Sequence, residues 1–112
     1  MKLIIAIIQS GRLEAVRLAL NEVEVFRLTV MDCQGFGRQK GQLAFNRGRD
    51  AASNLIRKIQ LQIAVNEDFV EPAIQAILKG SQSGEIGDGK IFVVPLDEVV
   101  RIRTGERGSE AI

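Results

Sequence analysis

Hydrophobic and polar positions along the chain predict strands in three places. The run from Lys2 to Ile8 is almost wholly apolar, which predicts a strand buried on both faces. Every second residue from Ile59 to Val65 is apolar within a segment starting at Arg57, which predicts a strand with one buried face. The alternation from Val25 to Phe36 predicts a further, long strand.

One segment carries the three- and four-residue spacing of an amphipathic helix. Ser10 is the expected N-cap of this helix. Its buried stripe is predicted to comprise Leu13, Val16, Leu20 and Val23.

A second helix is predicted from Asn66, its expected N-cap, to about Lys79. Gly80 is expected just beyond it, as the glycine that commonly follows a helix. Pro72 falls inside this segment, where it would leave the carbonyl of Asp68 without a partner. The expectation therefore includes an irregular first turn or a later start.

The remaining segments complete a βαββαβ order. Residues 37–55 have no clear period, and residues 81–89 are predicted to form a polar, glycine-rich loop. Short strands are predicted at residues 91–94 and 99–103, separated by Pro95. The order predicts a single α+β domain over residues 1–112, a ferredoxin-like sandwich with a long loop between strands 2 and 3. This fold hosts unrelated functions, so the function must come from the site.

Composition narrows the functional classes. The 112 residues include 15 Lys and Arg against 14 Asp and Glu, a net charge of +1, which disfavours a general nucleic-acid binder. No apolar run approaches the ~20 residues of a membrane-spanning helix, and a signal peptide is not expected. A single cysteine is typical of a reducing cytoplasm. The chain has no histidine, so histidine catalysis and histidine metal ligation are excluded.

Three clusters could bind an anion. The first runs from Gly35 to Gly41, where three glycines permit sharp turns and Arg38 and Lys40 supply donors. The second runs from Ser83 to Lys90, where glycine amides before a strand can form an anion-binding nest. It lacks the spacing of a Walker loop. Each cluster could equally be an ordinary glycine turn with solvated charges.

The third cluster begins at Arg101 and includes Arg103. Two arginines at i and i+2 of a strand would point to the same face. Two like charges so placed are costly unless an anion binds between them. A solvated edge strand is the alternative. Together the three clusters would suit a nucleoside triphosphate.

Two further residues have ordinary structural explanations. Lys58 could lie on the solvent-exposed face of a sheet, and Cys33 is expected to be a small apolar strand residue.

The whole chain resembles the PII-type nitrogen-regulatory signal-transduction proteins. The resemblance rests on residues 35–41, 83–93 and 101–106, and above all on the stretch from Gly84 to Phe92. It implies a homotrimer with ligand clefts between neighbouring subunits. It also implies three functional loops: a T-loop-like effector arm at 37–55, a B-loop-like segment at 80–90 and a C-loop-like tail at 101–112.

The ligands that this resemblance implies are ATP or ADP, bound competitively, and 2-oxoglutarate when Mg-ATP is present. Thr29 and the backbone at Ala64 would hold the adenosine. The adjacent subunit would contribute the stretch that contains Arg101, Ile102 and Arg103. The phosphates would be wrapped by Gly37, Arg38, Gly87, Asp88, Gly89 and Lys90.

Mg would be held by Gln39, together with the ATP phosphates and 2-oxoglutarate. The 2-oxoglutarate would meet Lys58, the backbone near Lys40 and the region of Gly87. Arg47, in the middle of the effector loop, would dock onto the partner. The implied partner is an ammonium transporter or a nitrogen-metabolism enzyme, so contact with a membrane would be only indirect.

Several positions depart from the family pattern. The modified-tyrosine motif, Tyr-Lys/Arg-Gly-x-x-Tyr, reads Asn46-Arg47-Gly48-Arg49-Asp50-Ala51 here. No phenol is therefore available for uridylylation or adenylylation. Gln62 stands where the family usually has Glu, and Gln9 and Ser10 replace a Lys-Pro pair.

The favoured interpretation is a non-catalytic, cytoplasmic sensor of adenylates and 2-oxoglutarate that reports through its loop. One alternative is a divergent PII-like adenylate sensor serving a different transporter or metabolic enzyme. Another is a slow ATPase or an acylphosphatase-like enzyme, although the sequence offers it no convincing nucleophile.

Overall fold

The structure is a computed structural model that describes residues 1–37 and 55–112. These residues contain four strands and two helices. The strands are β1 Lys2–Ile8, β2 Thr29–Gly35, β3 Ile56–Val65 and β4 Gly89–Pro95. The helices are α1 Leu13–Glu22 and α2 Glu67–Ser81, and short 3-10 turns occupy Ser10–Arg12 and Gly108–Ala111.

All neighbouring strands are antiparallel, in the order β2-β3-β1-β4. The two central strands are therefore the first and third along the chain, as the predicted βαββαβ order requires. The ferredoxin-like α+β fold is confirmed.

The core lies between one face of the sheet and the two helices. Ile4, Leu61 and Ile63 are fully buried beneath Val16 of α1 and Ile77 of α2. The predicted alternation in β3 is confirmed, because residues 59, 61, 63 and 65 are buried and those between them are only half-buried. The opposite face of the sheet carries no helix, and this face positions the site.

Both predicted helix caps differ from the structure. Ser10 is not an N-cap, since it begins a 3-10 turn that precedes α1, and Arg12 holds the position before the helix. Asn66 does precede α2, but its side chain makes no capping bond. Its Nδ2 instead donates to the Ser109 carbonyl oxygen at 3.0 Å, so tertiary contact with the tail replaces the local cap.

Gly80 does not end the second helix but lies buried within α2, which continues to Ser81. A Cβ at Gly80 would stand 2.7 Å from both the Cα and the backbone nitrogen of Val16. The glycine therefore permits close contact between the helices. Helix α2 begins at Glu67, directly after Asn66, and runs through Pro72, so the later start that was considered as one alternative is wrong.

The predicted strand from Val25 is also shorter. The Val25 N–H donates to the Leu20 carbonyl at 3.0 Å, and Glu24 has a left-handed φ of 62°. These features tie residues 23–25 to the end of α1. Strand β2 consequently starts only at Thr29.

The predicted strand at residues 99–103 is wrong. Only an isolated bridge joins Val100 to Arg107 there, and residues 102–104 form a turn. Gly105, with a φ of 75°, donates its N–H to the Arg101 carbonyl at 2.7 Å. A left-handed glycine closes the turn, and Arg101 and Arg103 do not share a strand face. In contrast, β4 is longer than predicted.

Within residues 1–37 and 55–112, no helix is long and apolar enough to cross a membrane.

Candidate functional site

Two clefts lie on the helix-free face of the sheet, one toward each end. The strand register defines this face, since Ile7 pairs with Gln60 on one side and Lys90 on the other. Cys33 of β2 pairs with Lys58 in the same way. Alternation along each strand therefore brings these side chains to one surface, opposite the helices.

The first cleft, which we call the glycine-loop cleft, has a volume of about 540 Å³. Five of the predicted site residues meet in it. They are Gly37, Lys58, Gly87, Gly89 and Lys90. The remaining lining is Ile7, Cys33, Gln34, Gly35, Phe36, Ile56, Gln60 and Phe92. The cleft therefore combines apolar walls with two ammonium groups and glycine backbone, which are suited to binding an anion.

Lys58 is directly joined to the glycine-rich loop. Its Nζ donates a hydrogen bond to the Gly87 carbonyl oxygen. The family resemblance implies that Lys58 and the region of Gly87 both contact 2-oxoglutarate. Their proximity in the structure is compatible with that role. In the sequence alone, a solvated position on the sheet was the alternative for Lys58.

The backbone of the loop depends on glycine at two positions in the cleft. Gly87 and Gly89 have φ values of 108° and 103°, which residues with a side chain rarely adopt. The close approach of β1 also leaves no room for a Cβ on Gly89. Glycine here thus serves both the turn and the pairing of β4 with β1.

The Asp88 carboxylate is directed into its own loop. It accepts bonds from the Ser83 hydroxyl at 2.5 Å, the Ser83 N–H at 2.7 Å and the Gly84 N–H at 2.8 Å. The Ser83 hydroxyl is the main cause of a lowered pKa for Asp88, followed by its backbone N–H. This carboxylate stabilises the loop, so only the backbone of Asp88 is suited to face a phosphate.

The second cleft, the C-terminal cleft, has a volume of about 570 Å³. It groups four predicted site residues: Thr29, Ala64, Arg101 and Arg103. Gln62, Arg27, Leu3, Leu28, Val99, Ala111 and Ile112 complete its lining. Thr29 and Ala64, the residues expected to hold the adenosine, therefore line the same cleft as the two arginines of the predicted site.

Arg101 and Arg103 differ in their surroundings. Arg101 bonds to Glu106 Oε1 and the Glu110 carbonyl, each at 3.1 Å, and to the Ile112 oxygen at 3.2 Å. This guanidinium thus holds the tail in place. Arg103 is exposed at the cleft. Ile102 between them is 98% exposed, outside both clefts.

The two clefts are well separated within one chain. Ile7 lines the glycine-loop cleft and Leu3 lines the C-terminal cleft. Four residues of a strand span about 13 Å at ~3.3 Å each. Lys90 and Arg103 therefore line clefts at different ends of the sheet.

Four predicted site residues, Arg38, Gln39, Lys40 and Arg47, lie outside the described residues. The Mg site and the docking arginine are therefore not described. Among residues 1–37 and 55–112, no group of three or more Cys, Asp and Glu residues is arranged to hold a metal ion.

Sequence reasoning missed several residues at these clefts. Ile7 and Phe92 line the glycine-loop cleft, and Gln9 bonds to Asp88. Two-residue alternation contained a signal for Phe92, which shares a strand face with Lys90. The apolar run of β1 contained none for Ile7, whose pairing with Lys90 is a matter of strand register. No sequence signal linked Gln9 to Asp88, 79 residues away.

Comparison with known proteins gives a consistent result. The family model "Nitrogen regulatory protein P-II" matches residues 1–106. The nitrogen regulatory protein GlnK1 of Methanosarcina mazei is 49% identical over 100% of this chain and 97% of its own. A nitrogen regulatory protein P-II of Azospirillum brasilense is 46% identical over the full length of both.

A solved structure agrees with these sequence matches. The crystal structure of Arabidopsis thaliana PII bound to citrate has a TM-score of 0.81 and 36% sequence identity. The match covers 98% of this chain and 87% of that one. The chain belongs to the P-II nitrogen regulatory protein family, a class of signal-transduction proteins, and the predicted resemblance is confirmed.

Proposed function

We propose that this protein senses adenylates and 2-oxoglutarate in clefts between the subunits of a homotrimer. ATP or ADP would bind there, and 2-oxoglutarate would join when Mg-ATP is present. The observation that carries the proposal is the separation of the two clefts. Each contains part of the cationic and glycine-rich set that the family resemblance implies, and about 13 Å of strand lies between them.

Assembly would join complementary halves. In a closed ring, the glycine-loop end of one subunit meets the C-terminal end of the next, a heterologous interface that repeats around the axis. Lys90 of one subunit and Arg103 of its neighbour would then contact the same phosphates. The site would depend on oligomerisation.

The helix-free face supports this assembly. Phe92 and Val94 of β4 are 45% and 39% exposed, and Leu3, Ile5 and Ile7 of β1 are half-buried beside them. The register places all five on one surface. Contact between subunits would remove these apolar side chains from water, which favours association.

The grouping of residues in the two clefts also changes which subunit is expected to supply each contact to the nucleotide. Thr29 and Ala64 share a cleft with Arg103, so the adenosine contacts would come from the neighbouring subunit with the arginines. The phosphate contacts of residues 87–90 would come from the other subunit. A backbone-lined pocket at Ala64 is suited to the edge of a base, since main-chain groups can both donate and accept.

The electrostatics of the glycine-loop cleft favour a polyanion. Lys58 and Lys90 line it, and Arg103 would add a third cation across the interface. Charge-assisted bonds to phosphate or carboxylate are shorter and stronger than neutral ones. The Arabidopsis relative was solved with citrate, a polycarboxylate, which supports binding of a dicarboxylate such as 2-oxoglutarate.

A complementation experiment tests the shared site. Lys90→Ala and Arg103→Ala are purified separately, and each should bind ATP at least about tenfold more weakly, the effect of one lost charge-assisted bond. The two variants are then mixed, dissociated and reassembled. Random reassembly should restore about a quarter of the sites, because one interface in four would combine the two intact halves.

Calorimetric titration with ATP counts the restored sites. Variants reassembled separately serve as controls and should remain weak binders. Complete absence of restoration would contradict a site shared between subunits. Absence of ATP binding by the unaltered protein would contradict nucleotide sensing itself.

The 2-oxoglutarate proposal rests on Lys58. Lys58→Ala should abolish 2-oxoglutarate binding and leave ATP binding largely intact, with Mg-ATP required in the unaltered protein. The matched control is Lys79→Ala, which removes a surface lysine paired with Glu22 at 2.9 Å. Equal 2-oxoglutarate affinity with and without Mg-ATP would contradict the coupling, which should amount to ~1–3 kcal/mol.

Partner regulation would use residues 37–55. We propose that this protein acts in the cytoplasm and that Arg47 is its docking side chain. The partner would be an ammonium transporter or a nitrogen-metabolism enzyme. Truncation of an arginine at an interface can cost ~2 kcal/mol or more of binding free energy. The amount of partner retained in pull-downs should differ between ADP, Mg-ATP and Mg-ATP with 2-oxoglutarate. The Arg47→Ala variant should no longer retain the partner. Equal retention in all three would contradict loop signalling.

A further inference from the structure

Gln9 is placed beside the glycine-rich loop by a backbone that is held on both sides. Ile8, immediately before it, pairs with Gly89 of β4. The Gln9 carbonyl accepts the Arg12 N–H at 2.9 Å, which closes the following 3-10 turn. From this fixed position its Nε2 donates to Asp88 Oδ1 at 3.3 Å.

Asp88 is the centre of the loop that Gln9 reaches. Its carboxylate holds Ser83 and Gly84, and Gln9 is the donor that comes from outside the loop. Asp88 is ionised at neutral pH, and its pKa is lowered below the ordinary value mainly by the bond from Ser83, with the charge of Arg12 as the smallest cause. A negative charge thus lies beside the amides proposed to bind phosphate.

We infer that Gln9 is a positioning residue for anion binding. Through Asp88 it anchors the loop to the end of β1, so that the backbone at Gly87 and Gly89 faces the cleft. The Gln9 side chain is a neutral donor, so it positions the loop without neutralising the negative charge of Asp88. Gln9 therefore sets anion affinity below the value that the same loop would reach with a cation here. This inference rests on the proposed function.

Three variants separate geometry from charge. Gln9→Leu removes the donor and should weaken ATP binding about threefold to tenfold, the effect of one lost hydrogen bond. Gln9→Lys retains a donor, adds a positive charge and should tighten ATP binding by a similar factor. Gln9→Glu places two carboxylates together and should weaken binding more than Gln9→Leu. The charge control is Gln75→Lys, on the exposed side of α2, which should have little effect.

Salt adds a readout that a merely structural role would not change. The gain from Gln9→Lys should shrink as ionic strength rises, because screening weakens exposed charge interactions. A loss of ATP affinity in Gln9→Lys, or an equal gain in Gln75→Lys, would contradict the charge argument.

Hydrogen exchange in the nucleotide-free protein tests the positioning directly. Amides of Ser83 and Gly84 should exchange at least about threefold faster in Gln9→Leu and Gln9→Glu, and no faster in Gln9→Lys. Unchanged exchange and unchanged ATP affinity in Gln9→Leu, while ATP still binds, would overturn this inference alone. Failure of the unaltered protein to bind ATP would instead contradict the proposed function, and with it the ligand role of Gln9.

Discussion

The carbonyl oxygen of Ile7 occupies the space that a side chain on Gly89 would need. An ideal Cβ at Gly89 would lie 1.7 Å from this oxygen, and the φ of Gly89 is 103°. Gly89 also pairs with Ile8 at one end of the β1–β4 ladder. The start of β4 and the floor of the glycine-loop cleft therefore depend on the same missing side chain.

Gly89→Ala should lower the free energy of unfolding by at least ~3 kcal/mol, because it combines backbone strain with a steric clash. Urea denaturation measures the change. Gly84→Ala is the matched control, since Gly84 has a φ of 86° but open space around its Cα. It should cost only the strain, ~1–2 kcal/mol. Equal losses in the two variants would show that the Ile7 contact contributes nothing.

Gly80→Ala tests the contact between the helices. Alanine normally stabilises a helix interior by ~1 kcal/mol relative to glycine. Here the added methyl group meets the backbone of Val16, which cannot rotate away. We expect a net loss of ~1–3 kcal/mol in urea denaturation. A stabilised Gly80→Ala variant would mean that the helices are less closely packed than the structure indicates.

Asp88 predicts an acid-sensitive loop. Its pKa in the folded protein is lowered below the ordinary value of 3.8, so its contribution to stability is fully present above that pH. The contribution is lost as the pH falls through the lower, folded value. Exchange of the Ser83 and Gly84 amides, corrected for intrinsic rates, should accelerate below about pH 4.

Asp88→Asn is the control for this pH dependence, because an amide does not titrate in this range. Its loop should show no corresponding acceleration. Acid-sensitive exchange of the same size in Asp88→Asn would assign the effect to another group.

Arg101 predicts a stabilised C-terminal segment. Its guanidinium bonds to Glu106 and to the main-chain oxygens of Glu110 and Ile112. Arg101→Ala should therefore speed hydrogen exchange in residues 104–112 by about tenfold or more. Arg103→Ala, which alters the neighbouring arginine of the same turn, should leave exchange there nearly unchanged. Similar acceleration in both variants would contradict the distinct role of Arg101.

Element order and sheet faces were predictable from local patterns. The alternation from Ile59 to Val65 and the apolar run of β1 identified the two central strands. The prediction that β1 is buried on both faces is wrong for the single chain, because its buried residues alternate with half-buried ones. The glycine-rich stretches likewise marked the loop around Gly87. The family resemblance identified ligand-binding candidates at both ends of the sheet.

Errors arose where the sequence pattern did not reveal a residue's partner or its backbone conformation. Asn66 bonds to Ser109 rather than capping α2, and Gly80 contacts α1 rather than ending its helix. The arginines at 101 and 103 follow a strand-like spacing, but the left-handed Gly105 closes a turn there. Local preference was overridden in each case by a contact or backbone conformation that periodicity does not encode.

The sequence by itself determined the βαββαβ order, the glycine loop and the set of cationic residues, since these depend on local spacing and residue chemistry. Only the tertiary structure decided which of those residues share a cleft. Antiparallel register brings Lys58 and Lys90 to one end of the sheet and Thr29 and Ala64 to the other, where the C-terminal turn adds Arg103. Register is a relation between strands distant in sequence, and it depends on the joint burial of their apolar faces.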